Sequence, residues 1–511
     1  MNIIKLSLYI VIILVSLNRL QADKAEEFLS GGLKQIQAKD YNAAIKLFDE
    51  AIALRPEFDL AYTNRGLAKF LLGDYPNALI DFDKSILINP NIETNYLNRG
   101  NLYYNLKKYE PAEADFLKVL TINSESFNAY YNLGIVNAIK NKKEKAIEYF
   151  TKTIDKNAAF EKAFMGRGNA YFDLKQYDLA EKDLKQVLFL KKDVPNANYL
   201  LGLTYRELKK NNEAILAFGN ELLINPKFEK CYGLRASVYL ELNKFKDAVS
   251  DYDSYLKLND KDYLSYYNRG FAKSNLGDIK SAVEDYSAAI KLKPNDESAF
   301  NSRGSLLMRL SNFKEAIPDF EMALKINPKA QQAKLNKSMC FFSLKYYTDA
   351  VILFNELILA NPENYDVRIR KAESLLKLNR FEEAIKDFDI AIKTKPNDKI
   401  NYFQRATAKT QTKDNAGAIL DYTKVIELDP KDELSYGNRG LLKAQGQDNK
   451  GAIEDFTKCL DINPKRADIF ANRGIIKYNT SDKNGACADL KSAMDLGNEE
   501  AKKIFNSTCG K

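Results

Sequence analysis

Small and large apolar residues recur along this chain at a fixed interval of 34 residues, in two separate stripes per interval. Counting the first interval from Ala25, the later ones begin at residues 59, 93, 127, 161, 195, 229, 263, 297, 331, 365, 399, 433 and 467, with no insertion or deletion, so fourteen repeats fill residues 25–500. Positions 4, 8 and 11 are spaced four and three apart, as are 17, 20, 24 and 27, and each set is one face of a 3.6-residue helix. Every repeat is therefore predicted to be two amphipathic helices joined by a turn. A chain of 511 residues would otherwise be read as roughly three or four domains; a strict period of this size replaces that reading with stacked supersecondary units.

Individual positions sharpen the pattern. Position 20 is alanine in all fourteen repeats, from Ala44 and Ala78 to Ala452 and Ala486, and position 24 is always large, from Phe48 and Phe82 to Phe456 and Leu490. Position 8 is glycine, alanine or serine throughout. Small residues at 8 and 20 let two helix backbones approach while rings at 4 and 24 fill the space beside them. Proline at position 32 (Pro56, Pro90, Pro226, Pro294, Pro328, Pro362, Pro396, Pro430, Pro464) ends the second helix before the next repeat begins.

An aromatic at 4, glycine at 8, Tyr or Phe at 11 and 17, Ala at 20, Phe at 24, Ala at 27 and Pro at 32 together resemble the tetratricopeptide repeat, over residues 25–500. One departure is Tyr or Phe, as in Tyr62, Tyr96 and Tyr130, where that family often has tryptophan; this changes packing volume, not class. The resemblance implies an all-α fold, a right-handed α-solenoid of fourteen tandem helix-turn-helix units with a concave wall made by the first helices. Asn198, Lys334 and Arg368 put polar groups at position 4 and mark repeats six, ten and eleven as expected weak packing points.

Comparing repeats within the chain exposes a charge correlation. Position 7 is arginine nine times, and position 23 of the same repeat is then always aspartate: Arg65 with Asp81, Arg99 with Asp115, Arg167 with Asp183, Arg235 with Asp251, Arg269 with Asp285, Arg303 with Asp319, Arg405 with Asp421, Arg439 with Asp455 and Arg473 with Asp489. Lys371 stands opposite Asp387 in the same way, Leu133 and Leu201 stand opposite Tyr149 and Ala217, and Lys337 opposite Leu353 is the one mismatch. Opposite charges that come and go together indicate an ion pair between the two helices of one repeat, rather than an arginine ladder for an anionic ligand.

In the resembled family peptides lie along the first helices, meeting positions 2, 5, 9, 12 and 13, and asparagine at position 6 can bond a peptide backbone. Position 6 here is Asn64, Asn98, Asn132, Asn268, Asn336, Asn438 and Asn472, with Phe70, Tyr104, Tyr131, Phe172, Tyr199 and Tyr267 on the same wall. An amide has the donor and acceptor that a main chain requires. The alternative is that the asparagines bridge neighbouring helices and the rings are packing. Asn64, Asn98 and Asn132 with Phe70 and Tyr104 form the preferred groove. The carboxylate clamp known in the family finds no match in three consecutive repeats.

Composition narrows the function classes. There are 77 basic and 69 acidic side chains, a net +8, but the signs interleave and no basic block forms, which argues against nucleic acid as a partner. Histidine is absent, which excludes histidine-dependent catalysis and HExxH zinc sites. No phosphate-binding glycine loop and no CxxC pair occurs, so no metal or cofactor is expected.

Both ends carry expectations of their own. Lys5 precedes the apolar run Leu6 to Leu17, and Ala22 offers a small residue for cleavage, so residues 1–22 read as an export signal; an uncleaved N-terminal anchor is the alternative, although the run is short of the about 20 residues a spanning helix needs. That places the mature chain in the periplasm or outside the cell, with no integral span after signal removal. At the other end Ala501, Ile504 and Phe505 lie on one face of a helix expected within residues 499–511, a cap on the last repeat, and Cys487 and Cys509 are candidates for a disulfide, with free buried thiols the alternative. No stretch remains for a catalytic domain. The sequence reads as a non-enzymatic scaffold or adaptor for protein or peptide partners, the alternatives being a self-assembling structural component or a regulatory subunit of an enzyme complex.

Overall fold

The computed structural model describes residues 2–510 and contains 29 helices, with no strand among the described residues. Twenty-eight of them form fourteen pairs in the 34-residue register; in repeat two the first helix is Asp59–Leu71 and the second Tyr75–Ile88. The turn between the two is the same each time. Position 15 has positive φ in all fourteen repeats, although only Gly73 and Gly277 are glycine. This left-handed residue lets the backbone close on the end of the first helix: Asp74 N–H donates to the Lys69 carbonyl (2.9 Å) and Gly73 N–H to that of Phe70 (3.0 Å). The next residue then caps the second helix where it is aspartate, as Asp448 does by accepting from Gly451 N–H at 3.0 Å.

The small positions are small for a steric reason. All fourteen alanines at position 20 are fully buried. A Cβ added to Gly100 would lie 2.6 Å from the Phe116 ring, closer than any real contact, so the large residue at 24 requires the small one at 8.

The chain divides into two bodies, Met1–Asp260 and Lys261–Lys511. Each is an α-solenoid in which every helix packs on its neighbour in the chain, and in each body several first helices also touch the first helix of the next repeat, making a wall of first helices. The N-terminal body opens with one unbroken helix, Asn2–Gln37, which runs through the expected signal into the first repeat. Ala25 and Leu29 are buried on it, whereas Leu6, Leu8, Tyr9 and Leu20 are exposed. Among the described residues no helix is long and apolar enough to cross a membrane.

Repeat six breaks the template. Its first helix starts late, at Ala197, after left-handed Asn196, and its exposed backbone ends are met by the buried Glu221, which accepts from Asn196 N–H (3.0 Å) and Tyr199 N–H (3.3 Å). Beside Asn198 a cavity of about 310 Å³ opens where other repeats place a ring. In repeat eleven, by contrast, Arg368 is no weak point: it is buried and donates to Asp387 (3.0 Å) and to the Pro362 carbonyl (2.7 Å).

The C-terminal body ends on a single helix, Glu499–Thr508, with Ala501, Ile504 and Phe505 against Phe470, Ala471, Leu490 and Ala493. The sulfurs of Cys487 and Cys509 lie within bonding distance, with Cα atoms 5.7 Å apart. Cys231, Cys340 and Cys459 are buried, and burial pushes the Cys231 and Cys340 thiols up to about 12.

Candidate binding face and its charge clips

All nine position-7 arginines reach the aspartate sixteen residues later. In each, Nε donates to one carboxylate oxygen (2.7–3.0 Å) and Nη2 to the other (2.5–2.8 Å), the planar two-pronged geometry that only arginine supplies. The aspartates are at most 5% exposed, so these are desolvated pairs. Hydrogen bonding to Asp115 raises the Arg99 pKa above its ordinary value, against the burial that lowers it.

Three further contacts surround these clips, the first in all nine and the other two in some of them, and sequence reasoning missed them. The guanidinium lies 5.3–5.9 Å from the centre of the position-4 ring of its own repeat in all nine cases. Position 4 is therefore aromatic wherever position 7 is arginine, and loses its ring only in repeats six, ten and eleven, which lack that arginine. In five repeats Lys69, Lys273, Lys409, Lys443 or Lys477 brings a second cation to the aspartate at 2.7–2.9 Å.

The third contact crosses between repeats. Nη1 donates to position 25 of the preceding repeat: Arg65 to Asp49, Arg99 to Asp83, Arg167 to Thr151, Arg303 to Ser287, Arg405 to Asp389, Arg439 to Thr423 and Arg473 to Thr457, at 2.6–3.0 Å. The signal was present in the sequence, since position 25 is Leu117 before Leu133 and Lys185 before Leu201. It also accounts for the mismatch at Lys337, which pairs with Glu321 of the preceding repeat (2.9 Å).

The asparagines at position 6 divide. Asn64 donates to the Leu60 carbonyl of its own helix (2.7 Å), Asn438 to the Tyr422 hydroxyl (3.3 Å), and Asn336 to Ser305 (3.1 Å) and Asn301 (3.3 Å) of the preceding repeat. Asn132 bridges to Asn101 Oδ1 (2.9 Å). Asn98, Asn268 and Asn472 are half-buried on the same face. Among the rings, Tyr199 packs on Phe228, Tyr267 on Tyr286 and Phe172 on Tyr177, at 5.0–5.5 Å between centres, so these three build the wall.

Phe70, Tyr104, Tyr131 and Asn132 come together. With Asn101, Asn105 and Ile135 they line an open cavity of about 360 Å³ across repeats two to four, floored by Phe116. Asn64 and Asn98 are not part of it. No charged side chain lines this cavity. Asn105 donates to the Asn101 carbonyl (2.8 Å), which holds its amide in place, and Phe70, Tyr104 and Tyr131 line the cavity while packed on Tyr75, Tyr109 and Phe160, at 5.7, 6.1 and 4.9 Å between centres. Such a surface suits an apolar side chain flanked by main-chain amide groups. Among the described residues no cluster of metal-ligating side chains occurs.

Sequence models described as the tetratricopeptide repeat match residues 32–91, 96–126, 127–155, 165–229, 229–262, 263–296, 298–330, 345–399, 369–433 and 434–466. A comparison with curated proteins returns no match. Among solved structures, similar chains include the C-terminal part of a repeat-containing protein of Cytophaga hutchinsonii (19% identity, 46% of this chain and 97% of that one, TM-score 0.41). Others are pilF of Pseudomonas aeruginosa (17%, 40% and 94%, TM-score 0.38) and MamA (23%, 32% and 94%, TM-score 0.30).

Proposed function

This chain belongs to the tetratricopeptide-repeat family, whose repeats generally mediate protein–protein interaction, and from that premise we propose that it is a non-enzymatic scaffold which holds partner proteins by extended peptide segments on its wall of first helices. The observation that carries this reading is the cavity of Phe70, Tyr104, Tyr131 and Asn132, an uncharged aromatic and amide surface on the face where a peptide would lie. The nine arginines are not the ligand site, because each is consumed by its own aspartate. Affinity capture from the native host with the full chain and with Tyr104→Ala/Asn132→Ala tests it. Loss of specific partners with an unchanged circular dichroism spectrum is expected; identical captured sets would remove the reading.

We further propose that the chain is exported, on the apolar run Leu6 to Leu17, with the pairing of Cys487 and Cys509 as support from the far end, since disulfides persist in oxidising compartments. Such a bond would hold the capping helix down, by about 3 kcal/mol. Mass spectrometry of the native protein is expected to find a mature N-terminus near residue 23 and a 2 Da gain on reduction of the C-terminal peptide pair. An intact Met1 on a cytoplasmic protein with five free thiols would overturn it.

A further inference from the structure

We infer that repeat six carries a receptor for one tyrosine side chain of a partner protein, at the ends of its second helix and the preceding one rather than on the wall of first helices. This site is separate from the cavity across repeats two to four, and either can fail without the other.

The site begins as a gap in the repeat. Eleven repeats set a ring at position 4. Around that ring stand position 28 of the preceding repeat and positions 26 and 30 of its own: Ile86 and Ile122 pack on the cluster of Tyr96, Ile154 and Leu190 on that of Phe164, and Lys118 Nζ lies 6.0 Å from the centre of the Tyr96 ring. In repeat six those positions are Leu188, Asn220 and Ile224, and all three line the cavity of about 310 Å³. The mould is kept, but Asn198 supplies no ring. The other two repeats without one span the gap with a long charged side chain, Lys334 reaching Glu356 (2.6 Å) and Arg368 reaching Asp387 (3.0 Å).

Asn198 reaches nothing. It is 5% exposed and lines the cavity, and its side-chain amide has no hydrogen-bond partner among the described residues. Buried amides are ordinarily paired, so this one marks what an occupant must bring. A phenol meets both demands: its ring fills the mould and its hydroxyl can donate to or accept from the amide. Phenylalanine would fill the space and leave Asn198 unanswered, which is how the site tells the two apart.

The surroundings suit a segment that is apolar beside its tyrosine. Leu216 and Leu223 stand 67% and 82% exposed on the helix Asn211–Ile224, which carries no lysine or arginine, and Phe189 stands exposed at the end of the helix Tyr177–Leu190. At the positions of Leu216 and Leu223, repeat four has Glu148 and Asp155 and repeat eight has Glu284 and Lys291. The mouth adds Lys192 and Asp193, one charge of each sign, so no net charge is asked of the segment.

A random 12-residue peptide phage library, selected on the full chain and counter-selected on Asn198→Tyr, which sets the missing ring in place, tests the proposal. The surviving class is expected to share one tyrosine beside Leu, Ile or Phe. In synthetic peptides of that class, phenylalanine in place of the tyrosine should weaken binding about tenfold, and alanine more. On Asn198→Leu the tyrosine and phenylalanine peptides should bind alike. Leu223→Lys, on the exposed rim, should also weaken binding about tenfold, whereas Tyr104→Ala/Asn132→Ala should leave it unchanged. If Asn198→Tyr melts below the full chain, Leu223→Lys replaces it in the counter-selection. The site is overturned if no class separates the full chain from the counter-selected variant, if phenylalanine binds the full chain as well as tyrosine does, or if the class is lost in Tyr104→Ala/Asn132→Ala.

Discussion

Repeats twelve to fourteen and repeats four and six use one backbone plan and opposite means of holding it. In the former, Arg405, Arg439 and Arg473 each pin a buried aspartate, stack on a ring and reach back to the preceding repeat. In the latter, Leu133 and Leu201 occupy the arginine's place and are buried, and the charges around them are satisfied elsewhere: Tyr149 stacks on Tyr130, while Lys185 and Lys210 share Glu181 and lie over the buried Tyr205. The difference teaches that positions 7 and 23 change as a set, while position 4 keeps its ring in repeat four (Tyr130) and loses it in repeat six (Asn198). A half-converted set leaves a buried charge alone, which is costly, whereas either complete set is stable.

That comparison can be broken most directly by half-converting a clip. Arg439→Leu leaves Asp455 buried with Lys443 alone, and should lower the stability of repeat thirteen by about 3 kcal/mol, read as lost amide-exchange protection in the helices Glu433–Gln445 and Asn449–Ile462. Arg439→Leu/Asp455→Leu, a conversion toward the pattern of repeat four, should recover most of that loss. Strictly additive losses would show that the two side chains do not act as a pair.

The arm between repeats is a smaller element. Thr423→Val keeps the shape and removes the acceptor for Arg439 Nη1, and should cost about 1 kcal/mol, with the loss shared by repeats twelve and thirteen. Repeat seven lacks this arm by nature, because Gly219 stands at position 25 and a Cβ there would lie 3.2 Å from Arg235 Nη1. Gly219→Ser supplies both a helix-favouring side chain and the missing acceptor, so a gain of roughly 1 kcal/mol in urea unfolding is expected; a loss would mean that the guanidinium cannot yield.

The smallest effect is a pH dependence. Burial raises the Asp251 pKa above its ordinary value although Arg235 bonds it, and no lysine stands at position 11 of that repeat, which carries Tyr239. A carboxyl whose folded pKa exceeds its unfolded one binds protons more tightly when folded, so its contribution falls as pH rises from about 4 through the raised value. Asp251→Asn should flatten that part of the stability profile; an unchanged slope would assign it to other groups.

Much of this was legible in the sequence because a repeat supplies its own internal comparison: fourteen copies of one backbone site expose the small–large pairing of positions 8 and 24 and the covariation of 7 with 23. The ring under the guanidinium and the backward arm were legible by the same means, in the covariation of 4 and 25, but they needed the three-dimensional neighbourhood to suggest which positions to compare. The left-handed residue at position 15 was hidden, because lysine, asparagine, serine and glutamine occupy it twelve times out of fourteen and signal nothing locally. The candidate groove was legible only in part. Phe70, Tyr104 and Asn132 converge, whereas Asn64 turns back to its own helix.

The sequence by itself determined the helix pairs, their register and the charge partners, since each depends on periodic side-chain volume and on opposite charges that appear together. Only the tertiary structure decided which polar groups are used up within the wall and which remain for a ligand. An amide satisfies its hydrogen bonds with whatever lies within about 3 Å, and that neighbour belongs as often to another repeat as to its own.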